Sequence, residues 1–331
     1  MRKPRVGFLG TGWIGRHRME AMLATGGLEA AAIADPSAEM RDAALALAPD
    51  ARIVDGLDAM LAMRLDGVVI ATPSALHAEQ SIRALEAGAA VFCQKPLGRD
   101  AAEARAVVAA AQAADRLLSV DFSYRFTQGM AAIAALVREG ALGRVQAIDL
   151  VFHNAYGPDK PWFYNRAQSG GGCVMDLGVH LVDLALWAMD FPKLAQPPVA
   201  QLYAGGAPIA AGSDAVEDLA LASFVLDGGT SVRLACSWRL HAGREAEISA
   251  AFYGTHGGAA LRNVDGSFYD FTAERFSGTG SEVLASPPDA WGGRAAADWA
   301  RRLGEGTRFD AEAARLVSVA EVVDAIYAAA R

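Results

Sequence analysis

Three glycines and one aspartate carry the first chemical signal in this chain. Gly10-Thr11-Gly12-Trp13-Ile14-Gly15 follows an apolar run at 6–9 and opens a helix-like stretch. In that setting the first glycine permits a tight turn, the second lets the backbone approach a pyrophosphate, and the third lets helix and strand pack closely. Free N–H groups at the helix start then receive phosphate oxygens. Asp35 closes the next apolar run, 20 residues after the last glycine, where an acid accepts hydrogen bonds from ribose hydroxyls. A carboxylate there repels a 2′-phosphate, and Pro36 and Ser37 bring no cation to hold one. The motif predicts NAD as cofactor and disfavours NADP.

Three further clusters follow. Thr72 and Pro73 end the third major apolar run, on the edge where such sheets bind ligands, and can face the cofactor. His77, one turn into the next helix, either touches the cofactor or braces helix against loop. Gln94-Lys95-Pro96 ends the next run; a cation there can hold a substrate oxygen and stabilise charge developing on it, or simply pair with a carboxylate. A cis Lys95–Pro96 bond is expected, since the chain must turn sharply there and X–Pro is where cis bonds occur. Last, Gly170-Gly171-Gly172 precedes Asp176, His180 and Asp183, which share one face if the segment is helical. An imidazole titrates near neutrality and a neighbouring carboxylate can orient it, so the stripe suits proton transfer. The glycines are read as allowing close substrate approach, and Asp183 as the weakest member of the stripe.

The elements that must position these residues are legible in the hydrophobic pattern. Apolar runs at 6–9, 30–34, 67–71, 90–93 and 117–120 alternate with helical stretches at 15–24, 39–48, 57–63, 75–87 and 101–113. Strand alternating with helix implies a parallel sheet with right-handed crossovers. After residue 122 the rhythm changes. Helices are expected at 131–139 and 175–189, and strands at 145–153, 199–204, 216–226, 231–240, 247–254, 259–264 and 268–276. Asp227-Gly228-Gly229 and Asp265-Gly266 read as hairpin turns. The expected fold is an α/β Rossmann domain over 1–121, then an α+β domain over 122–331 with a large, mostly antiparallel sheet. A final helix over 310–331 is free to pack back on the first domain.

Length and composition agree with two ordinary domains: 331 residues, 53% hydrophobic and 21% charged. The net charge of −8 gives no electrostatic reason for nucleic acid or an anionic membrane as partner. No apolar stretch reaches bilayer length, and the basic start at 1–5 runs into a strand pattern, so a cytoplasmic protein is expected. Cys93, Cys173 and Cys236 are widely spaced and read as buried thiols, without a metal site.

Taken in this order, the four motifs resemble the Gfo/Idh/MocA oxidoreductase family, which includes glucose-fructose oxidoreductase and inositol dehydrogenases. The resemblance implies that Lys95, Asp176 and His180 are catalytic. His180 would take the hydroxyl proton, Asp176 would assist it, and Lys95 would position the substrate oxygen. Tyr124-Arg125-Phe126 is similar to the family's segment at the domain junction, with Ser123 where Asn is common. The family usually has Glu-Lys-Pro, and here the acid is replaced by Gln94, which removes a charge beside Lys95. Besides Tyr124 and Arg125, substrate contacts are expected from Asn154, Tyr156, Trp162 and Arg166, between the sixth strand and the glycines. Tyr156 and Trp162 equally suit core aromatics; Arg166 suits an acidic substrate or a salt bridge.

The reading that follows is an NAD-dependent oxidoreductase acting on a hydroxyl-bearing carbon of a sugar, cyclitol or related polyol. It would be a homo-oligomer, dimer or tetramer, through the antiparallel sheet. Two alternatives remain: an NAD-dependent glycosidase that removes and returns the hydride within one turnover, and a non-catalytic dinucleotide-sensing regulator.

Overall fold

The computed structural model describes residues 2–210 and 213–330. The chain divides into two compact units. The first holds the residues up to Ser123 together with Gly293–Val317; the second holds Tyr124–Gly292 and the chain from Ser318 onward. Met1, Ala211, Gly212 and Arg331 lie outside the described residues, and Arg331 was the end of the expected last helix.

In the first unit the elements run β1 (Arg5–Leu9), α1 (Trp13–Ala24), β2 (Glu29–Ala34), α2 (Ala38–Leu45), β3 (Arg52–Ile53), α3 (Leu57–Ala62), β4 (Gly67–Ile70), α4 (Ser74–Glu86), β5 (Ala90–Cys93), α5 (Ala101–Ala114) and β6 (Leu118–Val120). The strands form one parallel sheet in the order β3-β2-β1-β4-β5-β6. Residues of β4 and β5 are buried throughout, as strands covered by helices on both faces must be. Two-residue β3 is too short to leave a hydrophobic pattern, and the sequence reading passed over it.

The Gly293–Val317 segment differs from the sequence reading, which assigned 122–331 to the second domain and let only a final helix over 310–331 pack back on the first. Its helix, Arg294–Gly304, drives the fully buried Trp299 against the Phe92 ring at 5.9 Å and against the start of β4. A Cβ on Gly67 would lie 2.8 Å from the Trp299 ring, so this glycine makes room for that side chain. The helix returns because its indole face has a prepared seat.

The second unit runs α6 (Gln128–Arg138), β7 (Val145–Asn154), α7 (Arg166–Ser169), α8 (Val179–Ala188), β8 (Val199–Ala204), β9 (Ala207–Pro208), β10 (Leu219–Leu226), β11 (Thr230–Ser237), β12 (Ala246–Gly254), β13 (Gly258–Asn263), β14 (Phe271–Ser277) and β15 (Gly280–Ala285). After α9, the Arg294–Gly304 helix of the first unit, comes α10 (Arg315–Ala329). Among the described residues these nine strands make one sheet, β15-β14-β13-β12-β7-β11-β10-β8-β9, in which only the β7–β11 pair is parallel. Burial alternates along β10 and β11, so one face of the sheet is covered and the other open. Gly228, Gly229, Asp265 and Gly266 all have positive φ. Asp227-Gly228-Gly229 joins β10 to β11 tightly as expected, whereas Asp265-Gly266 turns within a longer link, 264–270, so that the strand expected at 268–276 begins only at Phe271. The helical run Arg166–Ala188 is long and apolar enough to cross a membrane by length and composition, but it is mostly buried within the fold, as a core helix is. All three cysteines are buried and free.

Candidate functional site

At the nucleotide end of the first unit each glycine has its own reason. Gly10 has φ +86°, and a Cβ there would lie 2.4 Å from the Ala71 carbonyl oxygen. A Cβ on Gly15 would lie 2.2 Å from the Gly10 carbonyl oxygen, so helix and strand touch backbone to backbone. Gly12 has nothing within 4 Å of such a Cβ. The middle glycine therefore faces open space at the start of α1, whose first N–H groups carry no side-chain cap. That is the room and the polarity a pyrophosphate needs. Trp13 is 58% exposed and stacks on His17, while Ile14 is half-buried.

Asp35 locks this turn. Its Oδ2 accepts from the Thr11 N–H at 2.7 Å and its Oδ1 from the Ser37 N–H at 2.9 Å. A carboxylate has lone pairs to spare beyond those two bonds, so ribose hydroxyls remain possible donors. The structure adds a residue that the sequence reading did not weigh. Arg41, one turn into α2, donates through Nη1 to the carbonyls of Asp35 at 2.7 Å and Pro36 at 3.2 Å. The expectation of no cation near the ribose acid is thereby corrected: reading only the next two residues missed a side chain that the helix folds back.

His77 is a brace. It is 1% exposed, with Nδ1 2.7 Å from the Pro96 carbonyl and Nε2 2.7 Å from the Thr72 carbonyl. Two acceptors favour a doubly protonated ring, yet burial, the larger effect, pulls its pKa below the ordinary value. With both nitrogens engaged by backbone, the direct cofactor contact considered for His77 has no nitrogen to make it. Instead the ring ties the turn at Thr72 and Pro73 to the turn at Pro96. The Lys95–Pro96 bond is cis, as expected, and Lys95 is half-buried. Thr72 Oγ1 donates to Gln80 Oε1 at 2.6 Å, and Gln94 Nε2 donates to Asp121 Oδ2 at 2.7 Å.

In the second unit, Asp176 lies in a π-helical turn, Val174–Gly178, that leads directly into α8. The Val179 N–H reaches back five residues to the Val174 carbonyl. This wider turn breaks the simple i, i+4, i+7 stripe that was expected, because each residue of a π-turn advances less than 100° around the axis. Such turns are frequent at functional sites. Asp183 leaves the stripe altogether: it is 1% exposed and pairs with Arg125, whose Nε donates to Asp183 Oδ2 at 2.8 Å. Arg125 also lies over the rings of Trp187 and Phe191. Both Arg125 and Asp183 are thus absorbed by packing.

His180 is 9% exposed, and Tyr124 stands edge-on to it with ring centroids 5.0 Å apart. Tyr124 in turn packs on Trp291 at 4.8 Å and Phe271 at 5.9 Å. Asp176 Oδ2 accepts from Trp238 Nε1 at 3.1 Å. Trp238, buried at the end of β11, had no signal in its own neighbourhood that pointed to Asp176.

The triple glycine is explained by packing rather than by substrate approach. A Cβ on Gly171 would lie 1.9 Å from the Tyr327 hydroxyl, and one on Gly172 1.9 Å from the Glu217 carbonyl oxygen. Gly170 has φ +85° and ends α7. Glu217, 0% exposed, accepts through Oε1 from Gly172 N–H at 2.8 Å, Val174 N–H at 3.0 Å and Tyr327 Oη–H at 2.7 Å. Burial pushes the Glu217 carboxyl above its ordinary pKa, and those hydrogen bonds pull it partly back. So the last helix and the approach to β10 together hold the start of the π-turn.

Of the other expected substrate residues, Asn154 accepts from the Tyr156 N–H at 3.1 Å, and Tyr156 is 49% exposed. Trp162 stacks on Phe163 at 3.8 Å, and Arg166 lies over the Tyr327 ring at 5.2 Å. Arg166 therefore has an aromatic seat that neither sequence alternative had foreseen.

Comparison with known proteins agrees with this anatomy. Residues 4–122 match an oxidoreductase family with an NAD-binding Rossmann fold, and residues 130–260 match the GFO/IDH/MocA C-terminal domain. D-glucoside 3-dehydrogenase of Escherichia coli (strain K12) is 27% identical over 244 residues, covering 71% of this chain and 70% of that protein. Inositol 2-dehydrogenase of Rhodococcus erythropolis (strain PR4 / NBRC 100887) is 34% identical over 190 residues, 56% of this chain and 53% of that protein. A solved levoglucosan dehydrogenase in complex with NADH and levoglucosan shares the fold at TM-score 0.84 and 23% identity, covering 99% of this chain and 97% of that one. With both halves matched in order, the chain belongs to the Gfo/Idh/MocA family of NAD-binding oxidoreductases.

Proposed function

We propose that this protein is an NAD-dependent dehydrogenase that oxidises a hydroxyl-bearing carbon of a sugar, cyclitol or related polyol, or runs the reverse reduction. The observation that carries the cofactor half is the open space before Gly12, beside a turn locked by Asp35. The preference for NAD over NADP rests on the expectation that a carboxylate at this strand end accepts from ribose hydroxyls and repels a 2′-phosphate, while Arg41 is turned onto backbone carbonyls. The substrate class follows from the relatives, which are named for glucosides and inositol.

Bound nicotinamide supplies the hydride acceptor. Lys95 holds the substrate oxygen and stabilises negative charge on it. His180 takes the hydroxyl proton as the C–H hydride departs, and Asp176, oriented by Trp238, stabilises the imidazolium. The open sheet face, where Val199 is 69% and Leu221 42% exposed, is covered by a second copy of the chain, and the protein works in the cytoplasm.

A panel of sugars and cyclitols with NAD and with NADP, followed by absorbance of reduced nicotinamide, tests this. Net NADH formation with at least one polyol is expected. Cleavage of a glycoside without net NADH would replace the dehydrogenase reading by the glycosidase one.

A further inference from the structure

Three buried polar side chains from three parts of the first unit meet at a single oxygen. Asp121, just past β6, is 1% exposed, and its Oδ2 accepts from Arg18 Nε at 2.6 Å and from Gln94 Nε2 at 2.7 Å. Arg18 lies on α1, the helix that opens at the glycine turn, and is 5% exposed. Gln94 directly precedes Lys95 and is 7% exposed. The second oxygen, Asp121 Oδ1, is buried with no hydrogen-bond partner among the described residues.

This geometry selects the residue at 94. A carboxamide of that length can donate to Asp121. A carboxylate would set two anions at hydrogen-bond distance in a dry site where Arg18 is already paired with the first, which raises the pKa of the pair and favours a proton shared between them. The Glu-Lys-Pro pattern of the resembling family carries its acid just before the lysine. Here the buried negative charge stands one strand over, on Asp121, paired with Arg18.

We propose that Arg18, Asp121 and Gln94 form a positioning unit for Lys95. Asp121 clamps α1 to the strand end that bears Lys95, and Gln94 is the neutral partner the clamp requires. The role given to Lys95 rests on the proposed dehydrogenase reading. The other groups facing the clamp are Ser123 Oγ and His17 Nδ1, both hydrogen-bonded to Arg18, and the Cys93 thiol. Burial and the Arg18 charge hold His17 below its ordinary pKa, and burial pushes Cys93 up to about 12. Neither brings a competing charge at neutral pH.

The test compares the full chain with its Gln94→Glu variant and the Gln94→Glu/Asp121→Asn double variant, which moves the acid from 121 to 94. In thermal unfolding with saturating NADH, from about pH 5 to about pH 9, Gln94→Glu should unfold like the unaltered protein at the acid end. It should then fall behind as pH rises, because paired buried carboxylates have a raised folded pKa and the shared proton is lost through it. The double variant should regain the original pH profile. In turnover with a polyol from the panel, Gln94→Glu should lower kcat at alkaline pH by roughly ten- to a hundredfold with little change in KM for NAD, and the double variant should recover most of it.

An unfolding profile for Gln94→Glu parallel to that of the unaltered protein overturns the clamp, whatever the activity. The expected unfolding profile with unchanged kcat overturns the positioning role. Should Gln94→Glu fail to fold, folding of the double variant supports the clamp, and failure of both overturns it. If no polyol is oxidised, the dehydrogenase reading fails on its own, and the unfolding profiles still decide the clamp.

Discussion

The two units build their functional ends in opposite ways. In the first, the candidates lie on turns at the carboxyl ends of parallel strands (Gly10 after β1, Asp35 after β2, Thr72 after β4, Lys95 after β5) or in the first turn of the helix that follows, as Trp13, Ile14, Gly15 and His77 do. A parallel sheet brings those ends to one edge whatever the side chains do, so short local motifs suffice. In the second, Asp176 and His180 sit on one helical run, and what holds that run comes from far along the chain. Trp238 lies 62 residues from Asp176, and Tyr327 lies 110 residues from Glu217. Glycines illustrate the contrast. Gly12 leaves space for a ligand, whereas Gly171 and Gly172 leave space for the protein's own Tyr327 and Glu217.

The largest effects should come from the reacting groups. His180→Ala should lower turnover by roughly 10²–10⁴-fold while NADH binding, measured by fluorescence titration, is kept. Lys95→Ala should lose turnover on the order of 10²–10³-fold. Near-normal turnover in either variant removes that residue from the mechanism and with it the functional parity of the two units.

Substituting the glycines tests the contrast directly. Gly172→Ala forces a Cβ onto the Glu217 carbonyl and should cost on the order of 1–3 kcal/mol or more in urea unfolding. Gly12→Ala meets nothing within 4 Å among the described residues, so its stability should stay within about 0.5 kcal/mol while NADH affinity falls. If Gly12→Ala bound NADH normally, the space before it would not be the pyrophosphate seat.

Cofactor choice should move less. Asp35→Ser should narrow or invert the preference for NAD over NADP, and Arg41→Ala should widen it. Titration with both reduced cofactors measures the ratio, and an unaltered protein that prefers NADP would overturn the role given to Asp35.

The smallest expected effect is a slope. Burial raises the folded pKa of Glu217 above its unfolded value. That stability is present in full below the ordinary glutamate range and is lost as pH rises through the folded pKa. Glu217→Gln keeps an acceptor for Gly172 and Val174 and should flatten the decline in unfolding midpoint with rising pH. An identical slope in both proteins would show that another group controls it.

Much of this molecule could be read from residues alone. The glycine turn, the five long strands of the first sheet, the acid at the end of β2, and Lys95, Asp176 and His180 as chemically apt residues all follow from local spacing. Local spacing suffices there because backbone sterics and hydrophobic period act over a few residues. Contacts across the chain required the fold. Nothing near residue 41 marks Arg41 as lying over the Asp35 and Pro36 carbonyls, and nothing near 294–304 marks that helix as part of the first unit. The π-turn under Asp176, the Arg125–Asp183 pair and the Glu217–Tyr327 anchor depend on burial and distance. A buried polar group must find a partner wherever the packed chain places one. Sequence determined which residues could do chemistry; tertiary packing decided which of them it holds in place and which it uses up.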